Sequence, residues 1–272
     1  MEILSTGEKI KRARVYNGIT LKELCGDKIS ISKMSCIENG KVKPDEDILR
    51  YIADIIKLDY DYLEKDVYEQ INENIEFFEN NTDIYSDIEK DIKLNLDYAI
   101  NYEYYELAFK LIHKLFNYYL NQKNLNDILD IVPKYYDLYR KNNVYQNTII
   151  YFKDMANYLY ESKEYGEAKN YYNRIVNLLV EKDDIDSELY PYMSYKEGIC
   201  LLKCAEYDEA EKCLNIAKEY LDNIKSDEIK GDIYHANFII GILNNREEYI
   251  DYVKKSNELL KNNNLKIAEL KF

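Results

Sequence analysis

The sequence predicts an all-α chain in which a short module of five helices is followed by a long array of helical hairpins. Three observations carry this expectation. Only 3 Pro and 8 Gly are spread over 272 residues, too few turn-formers for a β-sandwich or barrel. Beyond residue 66 the apolar residues recur at helical spacing, interrupted by short polar joints at Asn80-Asn81, Asn142-Asn143 and Lys182–Asp184. Two segments, FKDMANYLYESKEYGEAKNYYNRI and SYKEGICLLKCAEYDEAEKCLNIA, repeat one plan, with Ala168 and Ala210 in matching places 42 residues apart.

Taken in order, residues 6–20 (TGEKIKRARVYNGIT) predict a first helix ending near Asn17-Gly18, a pair that tolerates positive φ. Thr20 caps a short second helix, LKELC, and Glu23 three residues later closes a capping box. That helix breaks at Gly26-Asp27, and Ser30 or Ser32 caps a third helix that runs to Asn39-Gly40. Ile31, Met34 and Ile37 recur every three residues and are expected to face inward, leaving Lys33, Ser35 and Cys36 to face out. Pro44 precedes a fourth helix with Ile48, Ile52, Ile55 and Ile56 on its apolar face, and DYDYL supplies a fifth.

Composition narrows the function classes. With 32% charged and 46% hydrophobic residues, the chain reads as a soluble globular protein. The N-terminal MEILSTGEKIKRARVYNG lacks the apolar core of a signal peptide, and no run approaches the ~20 apolar residues of a membrane helix, so a cytoplasmic location without membrane contact is expected. Cys25, Cys36, Cys200, Cys204 and Cys213 form no CxxC pair and read as free thiols; with only His113 and His235 as imidazoles, neither a metal site nor a cofactor is expected. No GxSxG, phosphate loop or HExxH pattern occurs, so the sequence predicts no catalytic residues and no enzyme. Charge is uneven. Residues 1–43 carry nine Lys+Arg against five Asp+Glu, and the remainder makes the whole chain −14. A basic end on an acidic body suits a protein that offers one face to a polyanion.

The first 65 or so residues, GEKIKRARVYNGITLKELC…ISISKMSCIENGKVKPDEDILRYIADIIKLDYDYL, resemble the Xre/Cro-type helix-turn-helix domain, most specifically in TLKEL, IENGK at 37–41 and the following Pro44. In that family the third helix enters the major groove, and its first polar residues meet base edges. The resemblance assigns that role to Ser30, Ser32, Lys33, Ser35 and Cys36, and assigns phosphate contacts to Arg12, Arg14, Lys22, Lys41 and Lys43. Two departures stand out. Leu21 replaces a common Gln, and Cys36 replaces a common Lys or Arg.

Residues 67–272 resemble a degenerate tetratricopeptide-repeat array. Ala168, Ala210 and Tyr252 are spaced by 42 residues, and steps of 40 backwards reach Ile128 and Ile88. The spacing predicts about five hairpins in a right-handed solenoid, with LKIAELKF at 265–272 capping its end. In such arrays the first helix of each hairpin lines a concave, peptide-binding side. Counting from Ala168 as the standard small position puts Lys153, Asn157 and Tyr160 there; from Ala210 the count gives Tyr192 and Tyr195. From Tyr252 it gives Tyr234, Asn237 and Asn244, and from Ile128 it gives His113, Asn117 and Asn121. Asn both donates and accepts, which matches an extended peptide backbone.

The two modules in this order, at this length, resemble the peptide-pheromone-responsive regulators of Gram-positive bacteria, the PlcR/Rgg/PrgX type. That resemblance implies a homodimer bound to an operator in double-stranded DNA and a short signalling peptide held by the repeats. Two other readings use the same residues: a tetratricopeptide-type interaction scaffold with a vestigial N-terminal module, and a ligand-independent dimeric regulator.

Overall fold

The computed structural model describes residues 2–80, 87–244 and 250–262. All regular structure among the described residues is helical, comprising fifteen α-helices and one 3-10 turn. The chain divides into two compact units, residues 1–115 and 116–272, with the division inside the long helix α8 (Tyr105–Asn121).

The first unit opens with α1 (Thr6–Tyr16), α2 (Leu21–Cys25), α3 (Ile31–Glu38), α4 (Glu46–Ile56) and α5 (Tyr60–Glu64). Each start has a chemical cause. Ser5 with Glu8 and Thr20 with Glu23 close reciprocal capping boxes, and Ser30, Asp45 and Asp59 accept the first free amides of α3, α4 and α5. Ser30, not Ser32, is therefore the cap of α3. Ile10, Leu24, Met34, Ile37, Ile52 and Leu63 draw the five helices onto one core that lies entirely within residues 10–63. Ile31 departs from expectation: it is exposed, and Ile29 takes its place in the core. The reason is geometric, because a three-residue step on a helix falls 60° short of a full turn and Ile31 is already off the buried face. Ile29 precedes the cap Ser30 and Met34 follows it by four, the positions of a hydrophobic staple.

Two contacts tie the module together. Gly7 lies where α1 crosses α3, and a Cβ there would stand 2.3 Å from the Ile37 carbonyl oxygen. Lys9 is buried and donates to the carbonyls of Tyr62 (2.7 Å) and Lys65 (2.6 Å) at the end of α5, where a cation meets the negative end of the helix. Beyond α5, α6 (Val67–Asn80) holds the N-terminal segment through Gln70, whose amide exchanges hydrogen bonds with both backbone groups of Leu4. α7 (Ile88–Asn101) packs on α6.

In the second unit, α9 (Leu125–Lys141), α10 (Tyr145–Glu161), α11 (Tyr165–Glu181), α12 (Leu189–Lys203), α13 (Tyr207–Glu219), α14 (Asp227–Leu243) and α15 (Ile250–Asn262) each pack on the next in sequence. Helices α6–α7, α10–α11, α12–α13 and α14–α15 pack as consecutive pairs; the register residues Ile88, Ala168, Ala210 and Tyr252 fall on the second helix of these pairs, and Ile128 falls on α9. The turns keep the same period. Lys123, Lys163 and Ala205, 40 and 42 residues apart, each adopt left-handed φ between consecutive helices. The following amide reaches back to close a Schellman motif, as Glu164 N–H does to Leu159 O at 2.8 Å. Gly198 serves close packing, since a Cβ there would meet Leu214 of α13 at 2.9 Å. The expected terminal cap at 265–272 lies outside the described residues.

Candidate functional site

Two surfaces bring predicted residues together. In the first unit, the N-terminal turn of α3 presents Ser30, Ser32 and Lys33 to solvent while Met34 and Ile37 anchor its other side. The Ser30 hydroxyl is engaged by the Lys33 amide, and the Lys33 ammonium lies 3.5 Å from Asp45 in an exposed pair that an incoming anion could replace at little cost. Ser35 and Cys36 are half-buried further along α3, and Lys22, Lys41 and Lys43 are exposed. Arg12 is exposed and pairs with Glu2.

Arg14 is held within the module. Its Nε and second terminal nitrogen donate to the two Glu38 oxygens at 2.6 and 3.0 Å, and its remaining terminal nitrogen donates to Ile19 O at 3.0 Å. This fork joins α1, the α1–α2 turn and α3, and the Glu38 contact raises the Arg14 pKa further. Three of the five guanidinium N–H donors are thus committed inside the module, which leaves two for any outside acceptor. Leu21, where a polar contact would be common, packs instead against the module core.

In the second unit the predicted aromatics of successive first helices converge. Tyr160 of α10, Tyr192 and Tyr195 of α12, and Tyr234 of α14 pack around the cores of their hairpins. The Tyr192 and Tyr195 rings lie 6.4 Å apart, and Tyr234 lies 5.8 Å from Tyr252. Among them are two ionisable groups that counting by register did not select. The Lys196 ammonium stands 4.3 Å over the Tyr160 ring and 5.8 Å from that of Tyr172. Asp232 of α14 raises the phenol pKa of both Tyr192 and Tyr195, adding to the larger effect of burial.

Burial governs the electrostatics of this cluster. Burial lowers the Lys196 pKa against the opposing pull of Cys200, Glu161 and Asp232. Burial, then repulsion from Glu228, pushes the Asp232 carboxyl up to about 6, although Lys196 works the other way. The two charges therefore sense one another without closing into an ion pair.

The predicted asparagines are largely committed to the protein. Asn237 is fully buried, donating to Leu214 O at 3.1 Å and Ile233 O at 2.9 Å, and so fastens α14 to α13 rather than facing a ligand. Asn244 donates to Glu211 at 2.7 Å, Asn157 accepts from the Tyr172 hydroxyl at 2.8 Å, and Asn117 lies 3.5 Å from Asp154. Packed antiparallel helices leave carbonyls and hydroxyls that a short amide satisfies, so Asn serves the array's own interior. Lys153 is half-buried beside them on α10, and Asn121 is exposed at the end of α8. His113 is half-buried in the first unit. Lys196 had a readable signal, since it follows Tyr192 by four residues and shares its helical stripe. A count tied to Ala210 steps onto Tyr195 and passes over it.

No family model matches the chain. A curated relative, the transcriptional activator NprA of Geobacillus stearothermophilus, is 24% identical over 269 residues, a match spanning 84% of this chain and 66% of that protein. The chain thus spans just under two thirds of that relative's length. Among solved structures, Bacillus thuringiensis PlcR in complex with the peptide PapR7 and DNA is similar at 19% identity, covering 96% of this chain and 95% of that one, with a TM-score of 0.46. BtubC (BKLC) from P. vanneervenii is 10% identical and covers 95% of this chain and 88% of its own, with a TM-score of 0.53, a likeness of fold alone.

Proposed function

We propose that the chain is a DNA-binding transcription regulator whose helical repeats respond to a short peptide. The observation that carries this reading is the N-terminal module. Five capped helices close on their own core within residues 10–63, and the polar first turn of α3 stands clear of it. We place the working boundary at residues 66/67 on that ground. The likeness to the transcriptional activator NprA supports the same reading.

In this reading Ser32, Lys33, Ser35 and Cys36 face base edges, while Arg12, Lys22, Lys41 and Lys43 contact phosphates. Ser30 positions α3 as its cap, and Arg14 holds α1 to α3. The peptide lies against Lys153, Tyr160, Tyr192, Tyr195 and Tyr234, with Asn117 and Asn121 extending the same series of first helices. The protein acts as a homodimer on an operator with paired half-sites, in the cytoplasm. None of the described helices is long and apolar enough to cross a membrane. A ligand changes operator affinity only if it binds the two states unequally, so the peptide favours one arrangement of the repeats. A second reading, the interaction scaffold, draws on Leu21, which packs into the module core where a DNA-facing polar residue would be usual.

The test is binding of the full-length protein to DNA flanking its own gene across a salt series, with and without synthetic peptides encoded by small neighbouring reading frames. Site-selective binding is expected, with log affinity falling linearly in log salt by about 0.9 per phosphate contact. Absence of binding at low salt, with and without peptide, would favour the scaffold.

A further inference from the structure

Among the described residues, Lys196 is the cation that the tyrosine cluster leaves incomplete. Its ammonium is half-buried over the faces of Tyr160 and Tyr172, and among the described residues it has neither an ion-pair nor a hydrogen-bond partner. The charged groups that act on it are Glu161 on α10, Cys200 on α12 itself and Asp232 on α14, while α11 contributes the Tyr172 ring. None approaches to ion-pair distance. The contrast with the molecule's other withdrawn cations is direct, because Lys9 spends its ammonium on two carbonyls and Arg14 spends its fork on Glu38. Removing an ammonium from water without a partner carries a penalty, and ring faces offset only part of it.

We infer that Lys196 is an anchor for a carboxylate of the ligand, which seats between the Tyr160 and Tyr192/Tyr195 rings and completes the ion pair that the protein leaves open. This rests on the peptide reading above and deepens it. A single ammonium beside Glu161 and Asp232 suits a monoanion; a phosphate dianion would meet two carboxylates for one cation. A peptide offers the right chemistry in two places, its terminal carboxylate and an Asp or Glu side chain. The tyrosines suit the rest of such a ligand, since they present flat apolar area at small cost in side-chain entropy.

The experiment exposes the full-length protein to three pools of synthetic heptapeptides and identifies those retained in equilibrium dialysis by mass spectrometry. The first pool has a free C-terminus and no Asp or Glu, the second is amidated with one Asp or Glu, and the third is amidated without acid. Retention of one acid-bearing pool at least ~10-fold above the neutral pool is expected, as for a desolvated charge pair. Enrichment of the first pool identifies the terminal carboxylate, and enrichment of the second identifies a side chain. Lys196→Met abolishes the discrimination while melting no lower than the parent, because an unpaired buried charge is replaced by an apolar side chain of similar volume. Lys196→Arg retains the discrimination. Equal retention of all three pools would overturn the carboxylate anchor and leave the peptide reading standing. Retention of none would remove the peptide reading and the anchor with it. A Lys196→Met protein that melts lower yet still discriminates would mark the residue as structural.

Discussion

Lys9, Arg14 and Lys196 are all drawn away from water, and the difference between them lies in what each ammonium or guanidinium meets. Lys9 and Arg14 meet acceptors from other helices and become staples of the N-terminal module. Removing one partner of a pair such as Arg14–Glu38 strands the other, which costs about 3 kcal/mol. Asp232 is the acidic counterpart of Lys196. Its carboxyl is held up at about 6 by burial and then by Glu228, against ~3.9 in an unfolded chain. Between those pH values the folded protein holds a proton that the unfolded chain has released, so this site adds stability as pH falls from 7 towards 4. Asp232→Asn is therefore expected to raise stability at pH 7 by about 1 kcal/mol, allowing for screening at a half-buried group, and to make no difference near pH 4. Denaturant unfolding at the two pH values checks this; an equal change at both would contradict it.

At the scale of the element, the N-terminal module depends on how closely α1 and α3 approach. Gly7→Ala would ordinarily favour a helix by up to ~1 kcal/mol. Here the new methyl meets backbone at 2.3 Å, and backbone of a capped helix cannot give way as a side-chain tip can. Overpacking decides the sign, and a net loss of about 2 kcal/mol is expected in thermal or denaturant unfolding. A neutral result would mean that α1 slides on α3. Helix starts were legible because Thr20/Glu23 and Ser30 carry their caps in the sequence. The ends of the repeat helices were less so. The left-handed positions there are Glu103, Lys123, Lys163, Asp183 and Ala205 rather than glycine, so nothing in their residue type announces a turn. Period located the hairpins where composition did not.

For the molecule as a whole, charge separates the two proposed activities. The whole chain is −14 although residues 1–43 are net basic, so an anionic polymer is drawn to one end and repelled by the rest. Lys41 and Lys43 are exposed in the α3–α4 connection, outside the core. Lys41→Ala and Lys43→Ala are each expected to reduce the salt slope of DNA binding by about 1 without altering preference among sequences. A slope that stays constant in both variants would take these residues out of the phosphate contacts. A change in preference would place them at the bases instead.

The sequence by itself determined what is local. Amphipathic period, caps and the 40- to 42-residue repeat specify which segments are helices and pair them into hairpins, because each of those signals acts over one or two turns or recurs at a fixed interval. The five-helix module was legible for the same reason, down to the capping box at Thr20. What only the tertiary structure decided was the fate of individual polar side chains. Whether Arg14 meets Glu38 or phosphate, whether Asn237 faces a ligand or the Leu214 carbonyl, and whether Lys196 or its neighbour Tyr195 presents an unfinished interaction depends on groups far away in sequence. A buried polar atom is worth satisfying wherever its partner comes from, and that partner is known only once the helices are packed.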